Sequence, residues 1–230
     1  MIVNNIDLVS AYGVTIIAKD IQNSEVINFN NWLDNSLDPV KLKDEKFKFS
    51  QITVELLVEG DDEDEVLTKI SNILVDCKNG ILKFSDIDYF YNISLKDSSN
   101  KKICSIAYQL ILSFQSSYKY LNQVIETVNR LTSKTITVAG NIETSAIVEI
   151  TPSVTIIDLA IIINSETITI NNLTASKKIV ITDKSVTELG INKFKDVDLW
   201  KFPRLKPGVN IITVSRNTCD ITIKYQPRFN

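Results

Sequence analysis

Two carboxylates that lie close together in the sequence are the first candidates for chemistry. Asp86 and Asp88 are separated by one residue, and an alternating strand would place both on one face. A carboxylate pair at a suitable separation can carry out glycoside hydrolysis. Solvated charges on a strand face explain the pair as well. A cell-wall hydrolase is therefore an alternative that rests on this pair alone.

The two tryptophans are the second candidates, because an indole ring can stack on a sugar. Trp32 and Trp200 lie in the two halves of the chain. Tryptophan in a β-protein is more often buried in the core, and we expect that here. The exposure of Trp200 separates the two functions: a buried side chain favours a structural role, and an exposed one favours a carbohydrate-binding module.

The cysteines and the missing histidines exclude several classes of enzyme and metal site. Cys77, Cys104 and Cys219 form no CxxC pair and are odd in number, so neither a disulfide framework nor a zinc site is expected. We predict that they are small buried hydrophobic residues. The chain has no histidine, which removes Ser-His-Asp and Cys-His catalysis and HExxH metal sites.

An acidic run is the remaining cluster of ionisable groups. Residues 61–65 are all Asp or Glu, and apolar residues at spacings of three and four follow until Cys77. This pattern predicts an amphipathic helix whose acidic start suits the helix dipole, and Asn79-Gly80 would end it. A cation site is the alternative, but the run lacks the ligand spacing and the glycine of a calcium loop.

No catalytic, cofactor-binding or metal-binding set is predicted. The six glycines are scattered singly, so there is no phosphate-binding loop. The net charge of −3 argues against nucleic acid as the main partner. The start of the chain does not read as a secretory signal, and the apolar runs are too short to span a bilayer, so no membrane insertion is expected.

The elements that would position these residues are mostly strands. Short runs of β-branched and aromatic residues recur with turn signals between them, which predicts a mainly β protein built from sandwiches. Residues 117–133 fit either a helix or a strand and a connection. We place a domain boundary there, giving domains 1–134 and 135–230. From the sequence, the first has 14 basic and 19 acidic groups (−5), and the second has 11 and 9 (+2).

The end of the chain resembles the C-terminal region of phage distal tail proteins. Residues 192–210 contain a tryptophan, then Phe202-Pro203 and a Pro207-Gly208 turn, and residues 219–229 close with a Tyr-x-Pro-Arg-aromatic sequence. The N-terminal half is similar more loosely, through Gly13, Gly60 and the Gly-Asn-x-Glu turn at residues 140–143. The sequence departs from the family at Ser145-Ala146, where a proline is expected.

This resemblance implies a structural protein of the virion tail tip and not an enzyme. It implies an N-terminal ring-forming domain, a β-sandwich or barrel with one flanking helix, and a C-terminal galectin-like β-sandwich. Six copies would form a homohexameric ring between the major tail tube protein and the tail-associated hub protein, assembled in the host bacterial cytoplasm. The outer domain would carry a receptor-binding or adsorption protein, and DNA would only pass through the channel.

Two alternatives stay open beside this function. The C-terminal domain could be a carbohydrate-binding module for host cell-wall sugar, although it lacks the histidine that galectin-type sites commonly use. A related β-protein could also belong to a contractile tail or a tail-like particle. A further hypothesis is that the acidic N-terminal half lines the channel, since like charge keeps DNA from adhering; the alternative is that residues 61–65 face outwards.

Overall fold

The computed structural model describes residues 1–230, apart from the side chains of residues 44 and 45. It is mainly β, as the sequence predicts. The chain forms two compact units, residues 1–119 with Asn230, and residues 120–229. This division falls earlier than the predicted one between residues 134 and 135. The reason is that β10 (Val124–Thr127) pairs with β21 (Cys219–Tyr225) near the end of the second unit.

The first unit contains most of its residues in strands. In chain order these are β1 (Ile2–Val3), β2 (Ile6–Asp7), β3 (Thr15–Gln22), β4 (Val26–Asn31), β5 (Val40–Phe47), β6 (Ser50–Glu59), β7 (Asn79–Lys83), β8 (Phe90–Cys104) and β9 (Ala107–Tyr120). The helices are α1 (Leu8–Tyr12) and α2 (Glu63–Asp76).

One sheet and α2 enclose the core of the first unit. The strand order is β2-β1-β7-β8-β9-β6-β3. The pairs β1–β2, β1–β7, β7–β8, β6–β9 and β3–β6 are antiparallel. Alternate residues of β6, such as Val54 and Leu56, are fully buried, and so are Val66 and Ile73 of α2. The helix covers one face of the sheet because its apolar stripe has the 3.6-residue period.

The acidic run starts α2 in the way that the sequence predicts. The Asp62 carboxylate accepts a hydrogen bond from the Glu65 amide at 2.8 Å, and Glu65 accepts one from the Asp61 amide at 2.6 Å. This reciprocal arrangement satisfies amides that have no partner within the helix. Backbone hydrogen bonding and Lys69 lower the pKa of Glu65. The capping function predicted for this run is confirmed.

The second unit is a sandwich of two antiparallel sheets. After β10 come β11 (Ser133–Val138), β12 (Thr144–Pro152), β13 (Ile156–Ile163), β14 (Glu166–Leu173), β15 (Ile179–Ile181), β16 (Val186–Glu188), β17 (Ile191–Asn192), a 3₁₀ turn (Phe194–Asp196), β18 (Val197–Leu199), β19 (Arg204–Leu205), β20 (Gly208–Val214), β21 and β22 (Arg228–Phe229). The sheets have the orders β10-β21-β12-β15-β16-β17 and β11-β20-β13-β14-β18.

The core of the second unit lies between these two sheets. Alternate residues of β12 and β21 are buried from one side, and alternate residues of β13, β14 and β20 from the other. The ambiguous residues 117–133 are the end of β9 and β10, not a helix.

Two turns of the second unit follow from the types of their residues, and the two ends of the unit lie together. Gly208 has φ +86, as the third residue of the predicted Pro-Gly turn requires. Asn164 and Ser165 both have positive φ, so a mirror-image turn joins β13 to β14. The two ends of the unit meet, because the Leu121 amide donates a hydrogen bond to the Pro227 carbonyl at 3.0 Å.

Candidate functional site

The expectation that both tryptophans are buried is wrong. The side chain of Trp200 is 88% exposed and that of Trp32 is 64% exposed. Trp200 follows β18 directly, and it is Phe202, two residues later, that packs against the core of the sandwich. The phenyl ring of Phe202 therefore packs against this part of the core, and the indole of Trp200 lies in solvent.

The loop that carries Trp200 is fastened on both sides. Before it, β18 pairs with β14, and Leu199 lies opposite Ile168. After it, the carbonyl of the buried Pro203 accepts a hydrogen bond from the Ala146 amide at 3.0 Å. We call residues 200–203 the anchored loop.

Two side-chain contacts add to this anchoring. Lys201 forms an ion pair with Glu166 at 2.9 Å, and the rings of Phe194 and Phe202 lie 6.1 Å apart. Trp200 is thus a solvent-exposed ring on a support that the sandwich itself holds in place.

A cleft opens beside the anchored loop. Its walls combine apolar groups, including Phe202 and Pro203, with polar and charged side chains: Glu143, Asn164, Glu166, Lys201, Arg204 and Lys206. Arg204 lies 4.0 Å from Glu143, and Lys201 pairs with Glu166. The cleft therefore offers hydrogen-bond donors and acceptors from three cations and two carboxylates.

Trp32 lies on a support of another kind. Strands β4 and β5 form a two-stranded sheet that pairs with no other strand in the part of the chain that the structure describes. We call residues 26–47 the arm. Its exposed apolar side chains are numerous: Val26, Trp32, Leu33, Leu37, Val40, Leu42 and Phe47. A lone hairpin is marginally stable in water, so an arm of this kind needs a partner to cover it.

The two outer faces of the sandwich differ in charge. On the five-stranded sheet, the outward row Ser133, Thr213, Ile162 and Thr167 runs across four strands without a charged group. Val209 and Ile211 of β20 are also exposed on this face. We call these six residues the uncharged face; the same side of the sheet also carries Asp158 of β13 and Asp198 of β18, which are not part of it.

The other sheet carries a charged network on its outer surface. Glu149 forms ion pairs with Lys178 at 2.8 Å and with Lys224 at 2.6 Å, and Arg130 pairs with Asp220 at 2.9 Å. The hydrogen bonds from Lys178 and then Lys224 lower the pKa of Glu149. The two faces therefore suit different neighbours.

The structure does not assemble the predicted carboxylate pair. Asp86 and Asp88 lie in the turn and loop between β7 and β8, not on a strand face, because β7 ends at Lys83. Asp86 forms an ion pair with Lys19, whose hydrogen bond lowers the pKa of that carboxylate. The alternation expected for this segment is wrong.

The cysteines follow the prediction at two of three positions. Cys77 and Cys219 are buried, and burial raises the pKa of the Cys77 thiol to about 12. Cys104 is exposed at the end of β8, which corrects the expectation for that residue. Among the described residues, no group of His, Cys, Asp and Glu side chains could hold a metal ion.

No helix among the described residues is long and apolar enough to cross a membrane.

Comparison with known proteins finds a family model that matches most of the second unit. Residues 139–229 match the siphovirus-type tail component, C-terminal domain. The resemblance to distal tail proteins drawn from the sequence is thereby confirmed. No curated protein sequence matches the chain.

Solved structures extend the likeness to both units. The Dit protein of phage SPP1, described as a paradigm of the hub adsorption apparatus in phages that infect Gram-positive bacteria, is 14% identical, with a TM-score of 0.82 over 100% of this chain and 98% of that one. A chain of the phage P2 baseplate, solved in its activated conformation with calcium, is 13% identical, with a TM-score of 0.55 over 94% of this chain and 91% of that one.

Proposed function

We propose a tail-tip role for this chain, whose residues 139–229 match the siphovirus-type tail component, C-terminal domain. The chain is a structural component of a phage tail or baseplate. Its finer role is to form a homohexameric ring that joins the major tail tube protein to the tail-associated hub protein. The observation that carries this proposal is the match to the Dit protein of phage SPP1 over nearly the full length of both chains.

The arm supports a contact between neighbouring subunits of such a ring. A head-to-tail ring requires two different patches on one subunit and a rotation that closes. The exposed apolar side chains of the arm supply one of these patches, because burying them against a neighbour removes apolar surface from water. The ring contact would also stabilise a hairpin that has no other sheet to join.

The uncharged face supports a second contact, with a receptor-binding or adsorption protein. The fully buried centre of a protein interface is depleted of charged residues, since each buried charge needs a partner. The residues of the uncharged face meet this requirement, whereas the charged network on the opposite sheet does not.

The acidic start of α2 has a further role in this proposal. Asp61 and Asp64 are exposed, and carboxylates that face a channel would keep passing DNA from adhering. Reversing the charge of both residues is the test: slower or incomplete genome ejection from otherwise normal particles is expected. Unchanged ejection from normally assembled rings would remove this role.

The ring itself is tested by the mass of the purified protein in solution. Light scattering across a concentration series should give a mass near six times 25.9 kDa, and negative-stain images should show rings. The variant Trp32→Ser with Leu37→Ser should shift the mass towards the monomer. Ile191→Ser, at an equally exposed apolar residue of the second unit, is the matched control and should leave the ring intact. A strict monomer with and without the tail tube protein would contradict the proposal.

A further inference from the structure

We propose that Asn79 is a site of spontaneous deamidation, and that the side chain of Asn4 controls how fast the reaction occurs. Asn79 and Gly80 are the first two residues of β7. The reaction would convert the Asn79 side-chain amide to a carboxylate. This proposal is independent of the assembly role above, because it concerns the chemistry of a single peptide bond.

The reaction needs only the chain and water. The backbone nitrogen of Gly80 loses its proton and attacks the side-chain carbonyl carbon of Asn79. The side-chain amide group takes up a proton and leaves as ammonia, so the two residues form a cyclic imide. Water then opens this ring at either of its carbonyl groups. The product is aspartate, or isoaspartate, in which the main chain continues through the former side chain.

The fold requires the residue that makes Asn79 reactive. A following glycine favours the attack, since it has no Cβ to shield its backbone nitrogen. Gly80 has φ +148, and a Cβ at this position would collide with the Asn4 side-chain oxygen. No other residue fits here without a change in the backbone. Asn79 itself is exposed, so water can reach its side chain.

The Asn4 side chain holds the start of β7 from one edge. Its Nδ2 donates a hydrogen bond to the Asn79 carbonyl at 2.8 Å, and its Oδ1 accepts one from the Ile81 amide at 3.0 Å. The Asn4 amide also donates to the Ile81 carbonyl at 3.0 Å. We call these three hydrogen bonds the Asn4 clasp. The clasp fixes the peptide groups on both sides of Gly80.

Strand β8 holds the same residues from the other edge. The Leu95 amide donates a hydrogen bond to the Lys78 carbonyl at 2.9 Å. Gly80 lies opposite Ile93 in the β7–β8 register. Because hydrogen-bonded pairs alternate in an antiparallel ladder, the Gly80 amide is assigned to the Ile93 carbonyl. An amide engaged in this way cannot turn towards the Asn79 side chain.

Deamidation therefore requires a local opening of the start of β7. The rate depends on the population of the open form, which the hydrogen bonds of the closed form keep small. Isoaspartate would lengthen the main chain at residue 79 and displace the carbonyl that the Asn4 clasp binds. Strand β1 joins its sheet through β7, with Ile2 opposite Lys83 and Val3 opposite Leu82. The modified chain should therefore unfold at a lower temperature.

Peptide mass spectrometry of the full chain, incubated at mildly alkaline pH, follows the conversion at Asn79. Asn4→Gly removes the two side-chain hydrogen bonds of the clasp, and glycine tolerates the positive φ of residue 4. The conversion should become about tenfold faster, as expected when two hydrogen bonds no longer oppose opening. Asn5→Gly is the matched control, because Asn5 also has positive φ and lies outside the clasp. It should convert at the parent rate.

A second variant and a second condition keep the test decisive if Asn4→Gly folds poorly. Asn79→Gln keeps the backbone carbonyl that Asn4 binds, but its longer side chain would have to close a larger ring. It should show no conversion at residue 79 and should unfold at the parent temperature. In denaturant the parent should convert faster than it does when folded, and Asn4→Gly and Asn5→Gly should then match it.

Three results would overturn the proposal. The first is the absence of conversion at Asn79 even in denaturant, and the second is a folded parent that converts as fast as the denatured chain. The third is a folded Asn4→Gly chain that converts no faster than Asn5→Gly. The mass of the protein in solution tests the ring separately, so either proposal can fail alone.

Discussion

The two exposed tryptophans lie on supports of opposite kinds. Trp32 belongs to a hairpin that pairs only with itself, whereas Trp200 lies on a loop that the sandwich fastens from both sides. The arm exposes a row of apolar side chains beside its tryptophan. The anchored loop instead borders a cleft whose walls carry charged side chains of both signs.

This difference shows that exposure alone does not define a function. An apolar arm without a sheet to join needs a large apolar partner to cover it, and a neighbouring subunit of the proposed ring would supply one. A single exposed ring on a fixed loop leaves much less apolar surface in water, so it needs no large partner to cover it. The support of a side chain therefore indicates the size and polarity of what will cover it.

The largest expected effect tests the anchoring of the loop. Phe202→Ala should lower the free energy of unfolding of the second unit by about 2 kcal/mol, below the usual cost for a fully buried phenylalanine because Phe202 is half-buried. Phe47→Ala on the arm is the control, and it should change unfolding by less than about 0.5 kcal/mol. Chemical denaturation measures both. Equal losses of unfolding free energy in Phe202→Ala and Phe47→Ala would mean that the anchored loop is held no more firmly than the arm.

A smaller loss of unfolding free energy is expected for a hydrogen bond within the first unit and outside the arm. The Tyr12 hydroxyl donates a hydrogen bond to the Asp76 carboxylate at 2.6 Å, and Tyr12→Phe should cost about 0.5–1 kcal/mol. This bond raises the pKa of Tyr12 to about 12, above its ordinary value of 10.0.

The sign of the Tyr12 effect with pH follows from that raised pKa. The stabilisation is fully present below pH 10 and is lost as the pH rises towards 12, because the unfolded tyrosine ionises first. Denaturation of the parent and of Tyr12→Phe at pH 8 and at pH 11 should show the difference shrinking. A difference that grows with pH would contradict this assignment.

The charged face of the sandwich should contribute less than the packing beneath the loop. Glu149→Gln removes the charge from two ion pairs and should cost about 0.5–1 kcal/mol at neutral pH. Because the pKa of Glu149 is lowered from 4.5, this contribution is present above pH 4.5 and is lost as the pH falls through the folded value.

Glu143→Gln is the control for that prediction, since its ion pair with Arg204 is long at 4.0 Å. Its unfolding free energy should stay within the error of the parent. A cost as large as that of Glu149→Gln would show that the cleft is held together by its charges.

The smallest expected effect concerns Trp32 in the isolated chain. Trp32→Ala should change the free energy of unfolding by less than about 0.5 kcal/mol, because an exposed side chain makes few contacts. Thermal unfolding at low protein concentration measures it. A loss of more than about 1 kcal/mol of unfolding free energy would mean that the arm packs against its own chain. The supports of Trp32 and Trp200 would then no longer be of opposite kinds.

The spacing of the apolar residues and the residue types at the turns were enough to predict most of the fold. Alternating apolar residues in 219–225 became β21, and the acidic run and its apolar stripe became α2 with its predicted cap. These patterns depend only on residues that are close in sequence, so they can be recognised without the tertiary structure. The Gly208 turn is predictable for the same reason.

The surroundings of the exposed rings could not be predicted in this way. Whether Trp200 or Phe202 enters the core depends on where β18 ends and on how Pro203 meets β12, which no local pattern records. The buried Lys193 was missed as well: its ammonium donates to the Asn172 carbonyl at 2.9 Å, far away in sequence. The strand assigned to Asp86 and Asp88 failed because β7 stops earlier than alternation alone suggests.

The hydrogen bond between Leu121 and Pro227 has an evolutionary consequence. A domain whose entry and exit points touch can be inserted into a host protein, or exchanged for another, without stretching the chain on either side. Residues 120–229 thus have the form of a cassette. Recombination between related genes could replace this cassette as a whole, while the N-terminal unit stays unchanged.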